Sequence, residues 1–167
     1  MVYLFQRRAW LDLFTYFCGD FPQVKAFTGN RHWKFPVEDN AFVILESDKY
    51  HGILHSSATL WKHRFQIEIA LEQGYMMVQG LLSKTGSYGR EKLIIGRRQF
   101  EDEAESIGNP SEEVIYFDRD LSWEIEVSKI VKCIKENLPV TECSSADALR
   151  VMRIVDKAYK DARLVLR

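Results

Sequence analysis

The sequence predicts an α+β fold, a mostly antiparallel open sheet of about six strands with helices packed on one face. Two observations carry this. In HRFQIEIALE, Phe65, Ile67, Ile69 and Leu71 alternate with Arg64, Gln66, Glu68 and Glu72. A period of two buries one face of a strand and wets the other. At the tail, Trp123, Val127, Ile130, Ile134 and Leu138 recur at spacings of four, three, four and four, the stripe of an amphipathic helix.

The remaining elements follow in order. Leu11, Phe14 and Phe17 fall three apart with Leu13 and Tyr16 beside them, which predicts a short helix that Gly19 stops. Gln23 to Thr28 alternates as a strand. GNRHWKFPVEDN is a polar connection with aromatic insertions, in which Pro36 interrupts any ladder. Ala41 to Leu45 is a short apolar strand. HGILHSSATLW is extended and ends just before the alternating run, which suits an antiparallel meander. Glu72-Gln73-Gly74 turns into the strand YMMVQGLL. SKTGSYGRE is a loop, EKLIIGRRQ a strand, FEDEAESIGNPSE an acidic loop, and EVIYFD closes the sheet. Pro139 ends the first tail helix. Ser144 and Asp147 resemble a capping box with Asp in place of Glu or Gln, and Leu149, Met152, Val155 and Tyr159 stripe the last helix. There is no internal repeat. Helices on one face leave the other to meet water or a partner. Its polar residues Arg64, Gln66 and Glu68 suit a broad, partly polar interface.

Composition bounds the function. The 167 residues are 46% hydrophobic and 28% charged, a globular balance for one domain or a large piece of a bigger protein. With 23 basic against 24 acidic residues, the net charge of -1 argues against a nucleic-acid surface built on bulk positive charge. Cys18, Cys133 and Cys143 have no metal-site or disulfide spacing and fit a reducing cytosol. No apolar run approaches a membrane helix and no signal peptide is present, so the expectation is a soluble cytoplasmic protein.

His51 and His55 lie four apart on a strand and face the same way, with His63 further on. Without a Cys or acidic ligand at a helpful spacing, ordinary strand histidines explain them better than a zinc site, and no metal is expected. The segment HSSATLWKH, residues 55 to 63, is richer. It brings Ser56, Ser57 and Thr59 hydroxyls, the Trp61 ring, the Lys62 cation and the titratable His63 into nine residues. Hydroxyls and imidazole pair with a sugar's hydroxyls, an indole stacks on it, and an ammonium meets a phosphate. The competing explanation is ordinary strand residues, a core tryptophan and a solvated lysine. Ser57, Trp61, Lys62 and His63 are the candidate substrate-binding residues. Arg7-Arg8 and Arg97-Arg98 fit solvated surface. There is no GxGxxG, P-loop, GxSxG or HExxH, and residues 1 to 18 contain no histidine, so no catalytic constellation is visible.

The ordered set LDLFTYFCGDFPQVKAF, VEDNAFVIL, HSSATLWKHRFQIEIALEQGYMMVQGLL, SYGREKL, LSWEIEVSKIVKCIKENLPV and SSADALRVMRIVDKAYKDA resembles the C-terminal domain of the glucose–fructose oxidoreductase / inositol dehydrogenase / MocA (Gfo/Idh/MocA) family. The likeness runs from about Trp10 to Ala162. The family's members are NAD(P)-dependent sugar and cyclitol dehydrogenases roughly twice this length. The resemblance implies an N-terminal Rossmann domain carrying the dinucleotide and a catalytic lysine. It also implies a C-terminal domain whose open sheet covers the substrate and forms the oligomer interface.

In that family the segment before Leu-Asp reads Asp-x-Gly-x-His-x-Leu-Asp, with the His serving in proton transfer. Anchored on Leu11-Asp12, this chain has Ala9 in the His slot, Arg7 in the Gly slot and Phe5 in the Asp slot. The implied organisation is a lead-in over 1–9, left by truncation, frameshift or fragmentation, and one substrate and oligomerisation domain over 10–167. No cofactor is expected for this chain alone, and NAD or NADP for the full-length family. The expected partners are a second copy through the open sheet and a sugar or nucleotide-sugar, with no nucleic acid and no membrane. The alternative is a standalone, non-catalytic sugar-binding or oligomerisation module. A weaker one is a chain that complements a separate Rossmann protein in trans.

Overall fold

The structure, a computed structural model, describes residues 8–34, 36–98 and 110–162. Along the chain run α1 (Arg8–Cys18), β1 (Gln23–Gly29), β2 (Asn40–Glu46), β3 (His51–Ser57), β4 (Gln66–Leu71), β5 (Gly74–Gln79), β6 (Glu91–Arg97), β7 (Glu112–Phe117), α2 (Ser122–Glu136) and α3 (Ser145–Ala162). The strands form two sheets, β1-β2-β3 and β4-β5-β6-β7, and every pairing is antiparallel. The predicted α+β, antiparallel class holds. Among the described residues seven strands in two sheets stand where about six in one were expected. One cause is local: HGILHSSATLW leaves the ladder after Ser57, where the Thr59 N–H donates to Ser57 Oγ at 3.1 Å and turns the chain. The chain divides into two compact units, residues 1–59 with 133–167, and residues 60–132.

In the first unit, α1 and α3 cover one face of the three-stranded sheet. Alternation along β1, β2 and β3 puts Val24, Ala26, Ala41, Val43, Leu45 and Leu54 on that face, against Leu11 of α1 and Val151, Ile154, Val155 and Ala158 of α3. Burying such side chains contributes roughly 1.5–3 kcal/mol each, and this is the main core among the described residues. Gly52 is required by close approach: a Cβ there would lie 2.6 Å from Cε1 of Phe14. Asp161 covers the free edge of β1, accepting from Lys25 Nζ and from the Ala26 N–H, both at 2.9 Å.

Helix ends follow the sequence closely. Gly19, at φ 75°, donates its N–H to Thr15 O at 2.9 Å and closes α1. Ser144 and Asp147 form the reciprocal capping box of α3, with Ser144 N–H to Asp147 Oδ2 at 2.9 Å and Asp147 N–H to Ser144 Oγ at 3.3 Å. Asn137, at φ 53°, lets the Leu138 N–H reach Cys133 O at 2.9 Å, so α2 stops before Pro139 does the work.

In the second unit, β4 to β7 form a meander. One row crosses it as Ile67, Val78, Leu93 and Ile115. The predicted alternation of β4 is present, with Ile67 and Ile69 half-buried and Gln66 and Glu68 exposed. No residue of α2 is buried, so the stripe read from its spacing lies open, with Trp123 and Ile134 at 74% and 75% exposure. The predicted acidic loop falls mostly on residues outside those described. So do Phe5 and Arg7, and α1 already includes the last two residues of the expected lead-in.

Candidate functional site

The segment HSSATLWKH is split by the division of the chain. Ser57 ends β3 in the first unit, while Trp61, Lys62 and His63 open the second. Each part is built differently.

Ser57 belongs to a polar knot. Its Oγ shares a hydrogen bond with Thr59 Oγ1 at 2.9 Å, and the Asn40 side-chain amide donates to Thr59 Oγ1 at 3.3 Å and to Asp39 Oδ1 at 3.0 Å. Asp39, only 3% exposed, is the centre: its Oδ2 accepts the backbone N–H of His32 at 2.7 Å and of Trp33 at 3.2 Å. Trp33 Nε1 donates in turn to Ala58 O at 3.0 Å. Burial alone would push the Asp39 carboxyl up. Donation from the Asn40 amide and from the His32, Trp33 and Arg31 N–H groups outweighs it and holds the carboxyl below its ordinary range. The sequence reading missed Asp39. Its only signal was an acid just before an apolar strand, where Asp commonly gathers turn N–H groups.

Trp61, Lys62 and His63 lie in the connection leading to β4, and all three are exposed, Trp61 at 89%. A core tryptophan, the bland expectation for Trp61, is therefore ruled out. His63 Nδ1 shares a hydrogen bond with Ser87 Oγ at 2.9 Å, and Ser87 Oγ with Thr85 Oγ1 at 2.9 Å. The Tyr88 ring lies 5.1 Å from the imidazole. The loop SKTGSYGRE is thus folded onto His63, a pairing that nothing in its spacing announced. Gly80 fixes where that loop leaves β5. At φ 76°, it donates to Phe65 O at 3.1 Å, and a Cβ would sit 2.3 Å from Arg90 O. At the loop's far end Arg90 donates from Nε to Asp118 Oδ1 at 2.7 Å and from Nη2 to Asp118 Oδ2 at 2.6 Å, and lies over Tyr116 at 4.2 Å. That hydrogen-bonded guanidinium holds Asp118 below the usual carboxylate range. The result is a surface of ring, imidazole and hydroxyls in which the partner of His63 Nδ1 is the Ser87 hydroxyl.

His51 and His55 are accounted for by their strand. His51 stands opposite Glu46, and His55 opposite Phe42, its ring stacked on the phenyl at 4.2 Å and 5°. Among the described residues no three metal-ligating side chains group together. No helix among them is long and apolar enough to cross a membrane.

The described residues do not form a Rossmann-type dinucleotide site, which uses a helix N-terminus with free N–H groups at the end of a parallel strand. Here every strand pairing is antiparallel, Asp120 Oδ1 takes the Ser122 N–H at the start of α2, and the Ser144–Asp147 box closes the start of α3.

No family model and no curated protein matches the chain. Solved structures do. UDP-N-acetylglucosamine 3-dehydrogenase GnnA from Acidithiobacillus ferrooxidans matches with TM-score 0.72 at 18% identity, over 96% of this chain and 48% of its own. The chain shares its fold with oxidoreductases. An oxidoreductase from Agrobacterium radiobacter, in complex with NAD+, L-tartaric acid and magnesium, matches at TM-score 0.68 and 20% identity, over 95% and 46%. The WlbA dehydrogenase from Bordetella pertussis, in complex with NADH and UDP-GlcNAcA, matches at 0.65 and 16%, over 95% and 41%. The chain spans less than half the length of each.

Proposed function

We propose that this chain is the substrate-covering and self-associating part of an NAD(P)-dependent sugar or nucleotide-sugar dehydrogenase of the Gfo/Idh/MocA type, and that it transfers no hydride by itself. The observation that carries the reading is the exposed Trp61 ring two residues from His63, whose imidazole is held by Ser87. Trp61 stacks on a sugar or base, His63 and the Ser87 and Thr85 hydroxyls pair with sugar hydroxyls, and Lys62 meets a phosphate. The resemblance in segment order and the sugar-nucleotide dehydrogenases sharing the fold support the substrate class.

A second copy of the chain covers the open face of β1–β3. Phe27, Phe42, Ile44 and Ile53 lie on neighbouring strands there and are all exposed, Phe27 at 69% and Ile53 at 73%. A contiguous apolar patch of this kind marks an interface. Calorimetric titration with NAD+ and NADP+ tests the chemistry: no binding is expected, and micromolar binding of either refutes the reading. A thermal-shift screen of sugars and nucleotide-sugars tests the ligand, and a hit that Trp61→Ala abolishes is the expected result.

A further inference from the structure

In the first unit a cavity of about 390 Å³ lies between the segment joining α1 to β1 and one face of α3. We propose that it binds a small, multiply charged oxyanion, a phosphate ester or a polycarboxylate, independently of the sugar site. The size falls within the roughly 300–1,000 Å³ of ligand pockets.

Three cations line it from α3, Arg150, Arg153 and Lys157, at i, i+3 and i+7 on one helix face. Their states differ. Arg150 is already compensated, by Asp20 Oδ1 at 2.8 Å and Asp147 Oδ1 at 3.5 Å. Lys157 Nζ donates to the carbonyls of Phe21 at 3.4 Å and Pro22 at 3.0 Å, which fix the ammonium without neutralising it. Arg153 is exposed and has no carboxylate partner among the described residues. Asp20 lines the cavity as well, so three cations stand against one carboxylate on its wall, and Arg153 and Lys157 are the two without an ion pair among the described residues.

Phe21 and Ile154 line the same cavity and are each 3% exposed, so apolar side chains form its floor while the cationic head groups stay in solvent. A clamp between helix and loop would explain Lys157 alone. It leaves Arg153 without a role. A cation already immobilised on carbonyls loses little freedom when an anion arrives.

Amide-resolved NMR titration of the full chain at fixed ionic strength tests this, with inorganic phosphate in one arm, citrate in a second and chloride as control. The expected result is saturable shifts confined to Phe21 and residues 150–157, with a Kd on the order of 1 mM or tighter in one arm. Arg153→Glu should weaken that binding at least tenfold. Lys49→Glu, the same charge change in the turn between β2 and β3, should leave it unaltered. The tighter arm identifies the ligand class. Non-saturating shifts in both arms, or equal weakening by Lys49→Glu, would overturn the proposal.

Discussion

The Tyr159 hydroxyl donates to Glu38 Oε1 at 2.5 Å, tying the last helix to the segment that enters β2. Glu38 is 1% exposed, so the bond holds a buried carboxyl group in place. Removing one partner leaves the other to bear its desolvation. Tyr159→Phe should therefore destabilise the fold by about 1–3 kcal/mol in urea unfolding, although it deletes only one oxygen.

Asp39 predicts a pH dependence. Its folded-state carboxyl lies below the ordinary value of 3.8 because the N–H and amide donors around it outweigh burial. A group depressed on folding stabilises above its unfolded pKa and loses that contribution as pH falls through the folded one. The wild type should thus lose stability between about pH 5 and about pH 2 more steeply than Asp39→Asn, with Asp39→Asn the less stable at pH 7. Denaturant midpoints across that range provide the check. Parallel slopes would remove Asp39 from the acid response.

Gly80 holds the loop that meets His63. Alanine there meets Arg90 O at 2.3 Å in a left-handed conformation, so two penalties coincide. Gly80→Ala should cost about 1–3 kcal/mol. It should also perturb the His63 imidazole resonances, which a mutation felt only within β5 would not.

These residues mark what could be read from the chain. The Ser144–Asp147 box and the Gly19 stop were legible because capping acts over three or four residues. The alternation of β1 was legible because burial in the first unit is one-sided, whereas β2 read only as an apolar strand and β3 only as an extended run. The break after Ser57 was not: its hydroxyl competes for the backbone within a run whose composition reads as strand. The Asp39 knot was missed because, apart from the adjacent Asn40 amide, its donors are backbone N–H groups such as those six and seven residues upstream, which any residue types could supply. The stripe of α2 was correctly periodic. Periodicity says that a face is apolar, not what covers it.

The open face of β1–β3 predicts association. Ile53→Glu should shift a self-associated chain to monomer in light scattering after gel filtration, with unchanged circular dichroism, because Ile53 points away from the core. A wild type that is strictly monomeric at tens of micromolar would remove that part of the account.

The most direct test follows the Trp61 indole and His63 imidazole signals by NMR while UDP-N-acetylglucosamine is added. The account predicts saturable shifts of both, lost for the ligand in Trp61→Ala while the fold persists. Saturable binding that leaves both signals unmoved, or none to any nucleotide-sugar, would contradict it.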